Sequence, residues 1–202
     1  MLELLKLKDT LLQTLSRQRQ DSRHLWQTPP ESVPELHQLI TNIETQSPAL
    51  NPLDSPLLIG DWRLIYTTSR GILGLDRIPL TDLGEVYQAI RGDRVYNVAE
   101  TKSFLGIEGV VAVAARYVRS GEARVDVTFQ RSILGLQSIM GYRSVTAFID
   151  QLEAKSRVLA IDIPIPAREG GVAQGWLEVT YLDETLRISR GNEGSIFVLV
   201  KD

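Results

Sequence analysis

From Gly60 onward, short runs rich in Val, Ile, Thr, Tyr and Phe are separated by Gly, Pro, Asp or Asn, with no long helical crossover between them. Parallel strands need crossovers of a dozen or more residues, so this texture predicts antiparallel sheet. The runs fall at about 61–69, 84–90, 94–101, 109–119, 122–131, 142–149, 157–163, 176–182, 185–190 and 195–200. One or two of them are left for loop or helix, giving about eight strands. Ser120-Gly121 and Asp183-Glu184 join successive runs. After the first joint, Val125, Val127 and Phe129 alternate with Arg124, Asp126, Thr128 and Gln130, the pattern of a strand with one buried face. A series of strands this long leaves exposed edges unless it closes, so the predicted fold is an all-β antiparallel barrel, with a sandwich as the alternative. The last run, Ile196-Phe197-Val198-Leu199-Val200, is apolar on both faces and needs cover outside the barrel as well as inside.

The N-terminal region supplies the obvious cover. Leu4, Leu7, Leu11 and Leu15 share one side of a helix over residues 2–19, and Leu5 and Leu12 widen the stripe. A second helix starts where Ser32 caps and Glu35 follows three residues later. Leu36, Leu39, Ile40 and Ile43 then keep helical spacing to about Gln46. Ser47-Pro48-Ala49-Leu50-Asn51-Pro52, with Pro56 beyond, ends it. The expected organisation is a helical segment, 1–52, packed on a barrel domain, 57–202.

Composition excludes several classes of function. A net charge of −3 and scattered arginines give no basic footprint for nucleic acid. There is no cysteine, and the two histidines, His24 and His37, are far from any patterned carboxylate pair, so no metal is expected. The longest uncharged apolar stretch, about 109–115, is well short of the roughly 18 residues that suggest a membrane span. Met1-Leu-Glu-Leu-Leu-Lys carries charges where a signal peptide needs an unbroken apolar segment. No nucleophile elbow, phosphate-cradling loop, metal-ligand helix or paired carboxylate occurs, which leaves no acid, base or nucleophile to nominate. The chain is therefore expected not to be an enzyme and to need no cofactor.

Gly60-Asp61-Trp62 is similar to the G-x-W that opens the first barrel strand of lipocalins, where the indole plugs one end and an arginine from a late strand packs across it. The same residues also fit a plain strand start with a core indole. Leu186, Ile188 and Arg190 share one face of a late strand, and an inward Arg190 would need a π-face such as Trp62. Trp62, Leu64 and Tyr66, at apolar inward positions, are the expected ligand contacts, alongside Arg190.

Three segments repeat an apolar-Leu-Gly-apolar pattern at strand ends: Ile72 to Leu75, Phe104 to Ile107 and Ile133 to Leu136. Basic neighbours, Arg70 and Arg77, Lys102, and Arg131 and Arg143, suit loops that dip into a headgroup region while cations snorkel. Leu73, Leu75, Phe104, Leu105, Leu134 and Leu136 are thus the candidate membrane contacts. Alternatively, these glycine turns pack back onto the core. Leu5, Leu7, Lys6 and Lys8 could join a membrane contact, although docking on the barrel suits that stripe better.

Two stretches resemble the plastid lipid-associated protein family, the fibrillins of plastids and cyanobacteria. One runs from Leu57 through Gly60-Asp61-Trp62-Arg63-Leu64-Ile65-Tyr66-Thr67-Thr68-Ser69 and on to Leu83-Gly84-Glu85-Val86-Tyr87-Gln88-Ala89-Ile90. The other runs from Tyr181 to Gly191 and closes with Gly194 to Lys201. Residues 103–175 match only loosely. The resemblance implies a lipocalin-like barrel and non-catalytic binding or sequestration of a carotenoid, quinone or lipid. It also implies peripheral association with thylakoids or lipid droplets and a role in photoprotection or membrane maintenance. No transit peptide is expected before Leu57, because the first 52 residues read as two folded helices. A cyanobacterial cytoplasmic protein, or a processed plastid form, would fit. Two other functions stay open: a scaffold for a protein partner such as a prenyl-lipid synthase, and an enzyme or chromophore lyase on the same barrel.

Overall fold

In a computed structural model, residues 2–21, 33–46, 51–69, 81–103, 105–154, 158–166 and 175–202 are described. The strands are β1 (Gly60–Thr67), β2 (Thr81–Arg91), β3 (Arg94–Ser103), β4 (Glu108–Arg119), β5 (Arg124–Leu136), β6 (Ile161–Pro164), β7 (Gly175–Leu182), β8 (Leu186–Gly191) and β9 (Ile196–Lys201). All pair antiparallel. The ring runs β1-β2-β3-β4-β5-β7-β8-β9 and returns to β1, so the predicted closed barrel forms and the sandwich does not. β5 is long enough to serve two neighbours. Its first part, Arg124 to Val127, pairs with β7 and closes the barrel, while Arg131 to Leu134 pair with β6, which lies outside the ring.

Helices cover the barrel on two sides. α1 (Leu2–Asp21) and α2 (Val33–Glu44) place Leu11, Leu15, Leu36, Ile40 and Ile43 against Tyr66, Tyr181, Leu186, Ile188, Ile196 and Val198 on the outer faces of β1, β7, β8 and β9. This covers the outer side of the doubly apolar last strand. Burying side chains of this size contributes about 1.5–3 kcal/mol each, before ordering costs. Polar contacts set the helices' positions. Lys8 of α1 pairs with Asp183 in the β7–β8 turn. His37 Nε2 of α2 lies 2.9 Å from Tyr66 Oη.

The second cover corrects one expectation. The run 142–149, predicted as a strand, is mostly helix: a short α3 (Gln137–Met140) is followed by α4 (Val145–Glu153). Ser144 caps α4 by accepting from the Ala147 N–H at 3.2 Å. Val145, Phe148, Ile149 and Leu152, at helical spacing, are buried on Ala89, Tyr96, Val98, Val110, Ala112 and Ala114. The β-branched and aromatic residues of 142–149 imitate a strand, but the tertiary burial of an i, i+3, i+4, i+7 stripe overrides that propensity.

Candidate functional site

Inside the ring is a cavity of about 270 Å³. Its walls are mainly apolar and come from every barrel region: Leu64 of β1, Val86 of β2, Val125, Val127 and Phe129 of β5, and Val179 of β7 among them. At one end, the 3-10 turn Pro56–Leu58 folds beneath the barrel and puts Leu58 into the cavity floor. The Trp62 Nε1–H donates to the Leu58 carbonyl at 2.9 Å, so the fully buried indole pins that turn. Gly60 makes the approach feasible: its φ is +126°, and a Cβ there would lie 2.9 Å from Lys201 Nζ. Lys201 Nζ lies 4.4 Å from the Trp62 ring centre and donates to the carbonyls of Leu57, at 2.6 Å, and Ile59. At the opposite end of the strands the lining includes Ser69, Trp176, Asn192 and Ser195.

One charged side chain lines this apolar space. Arg187 of β8 is fully buried, and its guanidinium carbon lies 5.0 Å from the Trp62 ring centre. It donates through Nη2 to Gln88 Oε1, and Gln88 Nε2 donates in turn to Asn97 Oδ1 at 2.9 Å. Among the described residues, Arg187 Nε and Nη1 have no hydrogen-bond partner, nor does the neighbouring inward Ser189 Oγ. Among the described residues, none that lines the cavity is acidic. Burial raises the Tyr117 phenol above its ordinary value, so this nearby group stays neutral and offers no countercharge. Burial also pushes Arg187 below its ordinary value, but a guanidinium remains charged at neutral pH.

The arginine at Trp62 is thus Arg187 and not Arg190, which corrects the expected stack. The face shared by Leu186, Ile188 and Arg190 is the outer one: the two apolar residues lie under the helices, and Arg190 donates to Glu44 of α2 through Nε at 2.9 Å and Nη2 at 2.6 Å. Alternation shows which residues share a face but not which face is inside, and a strand with apolar cover on both sides removes the usual cue. Tyr66 is displaced from the interior for a different reason. A β-bulge between Leu64 and Tyr66 adds one residue to β1 opposite β9, so Trp62 and Leu64 face inward and Tyr66 faces the helices. Of the four expected ligand contacts, Leu64 lines the cavity, Trp62 underlies it, and Tyr66 and Arg190 lie outside. Arg187, Ser189 and Gln88 were missed. Their sequence signal was their place at alternate positions, Gln88 between Val86 and Ile90 in β2, and Arg187 with Ser189 in β8.

The glycine segments also divide. Leu73, Leu75 and Phe104 lie outside the described residues. Leu105 sits in the β3–β4 turn, 70% exposed, and Leu136 ends β5, 41% exposed. Ile107 and Ile139, beside them in the chain, are exposed too. These residues lie at the barrel end that carries Trp176 and Ser195, opposite the Trp62 floor. Leu134 departs from the expected rim: it packs against the interior cluster. Its neighbour Gly135 is a packing contact, since a Cβ there would lie 2.6 Å from Met140 Sδ of α3. No helix among the described residues is long and apolar enough to cross a membrane, and no group of three or more metal-ligating side chains occurs among them.

Residues 6–200 match the protein family PAP_fibrillin. Plastid lipid-associated protein 1, chloroplastic, of Brassica campestris is 31% identical over 199 residues, covering 85% of this chain and 61% of that protein. Probable plastid-lipid-associated protein 12, chloroplastic, of Arabidopsis thaliana is 31% identical over 208 residues, covering 98% of this chain and 44% of that protein. The chromoplast-specific carotenoid-associated protein of Cucumis sativus is 29% identical over 194 residues, with coverage of 83% and 60%. The chain spans about three fifths of the length of the first of these relatives. No solved structure matches.

Proposed function

The chain belongs to the PAP_fibrillin family, and from that premise we propose that its barrel binds a lipophilic small molecule and does no chemistry on it. The observation that carries the proposal is the apolar cavity between Leu58 at its floor and Trp176 at the opposite strand ends. Relatives named as lipid-associated and carotenoid-associated support the same ligand class. Burying a hydrocarbon contributes about 0.8 kcal/mol per methylene, so about ten carbons supply on the order of 8 kcal/mol before the cost of association. At about 270 Å³ the cavity is slightly below the roughly 300–1,000 Å³ of a drug-sized ligand pocket, which suits one chain of medium length. A carotenoid or long-tailed quinone would enter by one end, with its remainder outside, whereas an acyl lipid of medium length would fit almost whole.

We place the protein at the surface of a thylakoid or a lipid droplet, in a plastid or a cyanobacterium, with a role in photoprotection or membrane maintenance. The plastid names of the relatives support the compartment, and exposed Leu105, Ile107, Leu136 and Ile139 at the end opposite the Trp62 floor support the surface contact. A scaffold for another protein is the second proposal, favoured by exposed Leu159, Ile161 and Ile163 on and beside the outlying β6. Organic extraction of natively purified protein, followed by absorbance and mass analysis, separates the two. A stoichiometric lipophile supports the binding role; a clean extract from protein that still captures a defined protein partner supports the scaffold.

A further inference from the structure

The cavity's polar groups say more about its occupant than its walls do. An apolar pocket for a wholly apolar ligand would be stabilised by apolar groups at every inward position, because a buried charge without a counter-ion carries a large desolvation cost. Arg187 instead places a full positive charge in the cavity wall. Among the described residues two of its nitrogens are without acceptors, and Ser189 Oγ, two residues along the same inward face, is also unpartnered. The orientation of the guanidinium is set from outside the cavity contents. Nη2 is committed to Gln88, which is held by Asn97, and the plane lies near the Trp62 indole. The unpartnered donors therefore belong to a pre-positioned group.

Ion pairs neutralise the barrel's other arginines that have an acid in reach. Arg190 has Glu44, Arg116 has Asp93, Arg94 has Glu153 and Arg131 has Asp162. Arg187 has none of these, and Lys201, the cation nearest the same indole, adds positive potential at that end. A neutral carbonyl would accept a hydrogen bond from Arg187 but would leave the charge uncompensated. An anionic oxygen supplies both.

The geometry points to an acyl lipid with an ionised carboxylate as the occupant, inserted head first so that the carboxylate accepts from Arg187 Nε, Arg187 Nη1 and Ser189 Oγ. The chain then runs along Val86, Val127, Phe129 and Phe197 toward the end that carries Trp176 and Ser195. This ligand class rests on the proposal that the barrel holds a lipophile, and it adds the head group and the direction of entry.

Decanoate and decanol, equal in chain length and matched to the cavity volume, separate the two levels. Their affinities are measured by calorimetry at mildly alkaline pH, where the acid is ionised, for the full chain and for Arg187→Met and Ser189→Ala. The expected result is that the unaltered chain prefers decanoate by roughly tenfold or more. The preference disappears in Arg187→Met and shrinks in Ser189→Ala. Equal affinity for both compounds in the unaltered chain, or an undiminished preference in Arg187→Met, overturns the head-group assignment while the lipophile cavity stands. Failure of the unaltered chain to bind either compound overturns the cavity proposal and the head-group assignment together.

Discussion

Arg187 sets stability against binding at a single position. Its desolvation costs several kcal/mol. Against this stand a cation–π contact with Trp62, about 2 kcal/mol when desolvated, and one hydrogen bond to Gln88. The balance is unfavourable without a bound anion. Arg187→Met, which keeps the length and removes the charge, is expected to raise the thermal midpoint of the ligand-free protein by about 3 °C, read by calorimetry. A lowered midpoint would mean that the guanidinium is chiefly a strut for the indole. Asp183 shows the reverse case of a well-served charge. Burial alone would raise its carboxyl, but Lys8, the Tyr181 hydroxyl and the Thr185 and Leu186 N–H groups together hold it down, from 3.8 to about 2. A carboxyl held below its unfolded value stabilises fully at neutral pH, and that contribution is lost as pH falls from about 4 through about 2. Because the site is partly solvated, its worth is about 1 kcal/mol. Asp183→Asn should lower stability at pH 7 by about that amount and flatten the acid limb of the unfolding curve.

At the scale of elements, the strands and the two N-terminal helices were legible because period and punctuation agree with burial. The turn at Asp183-Glu184 and the alternation of Val125, Val127 and Phe129 are examples. What stayed illegible has specific physical causes. The helix Val145–Glu153 carries a strand-like composition whose helical stripe matters only once a sheet lies beneath it. The bulge at Leu64 and Tyr66 reverses the faces of Tyr66 and Thr67, and no residue type announces it. β8 is apolar outward because helices cover it, so the face that carries Arg190 has the apolar pattern of an inner face. Arg190 belongs to the attachment of α2. Its carboxylate partner Glu44 also accepts from Thr180 Oγ1 at 2.7 Å. A double-mutant cycle of Glu44→Ala and Arg190→Ala should give a coupling of about 1 kcal/mol in urea unfolding. Arg190→Ala should leave lipophile affinity unchanged, whereas a loss of affinity would return Arg190 to the ligand site.

The whole molecule is a barrel plugged at one end by Trp62, Leu58 and the turn that carries it, and apolar at the rim of the other. That polarity predicts how it meets a membrane: with the end that carries Trp176, Leu105 and Leu136 first. Leu105→Ser combined with Leu136→Ser should reduce co-sedimentation with vesicles of mixed neutral and anionic lipid severalfold, since each exchange removes an exposed aliphatic anchor. Undiminished sedimentation would place the contact elsewhere, on α1 or on the outlying β6. The cavity itself is tested most directly by filling it. Val127, half-buried in the β5 wall, can be replaced by tryptophan to occupy the space that a ligand would take, at an overpacking cost of about 1–3 kcal/mol. Titration with N-phenylnaphthylamine, a neutral apolar dye, should show saturable fluorescence enhancement with one dye per chain for the unaltered protein. Val127→Trp should lose it while keeping the far-ultraviolet circular dichroism of the barrel. Equal dye affinity in the two proteins would contradict a ligand cavity inside the barrel.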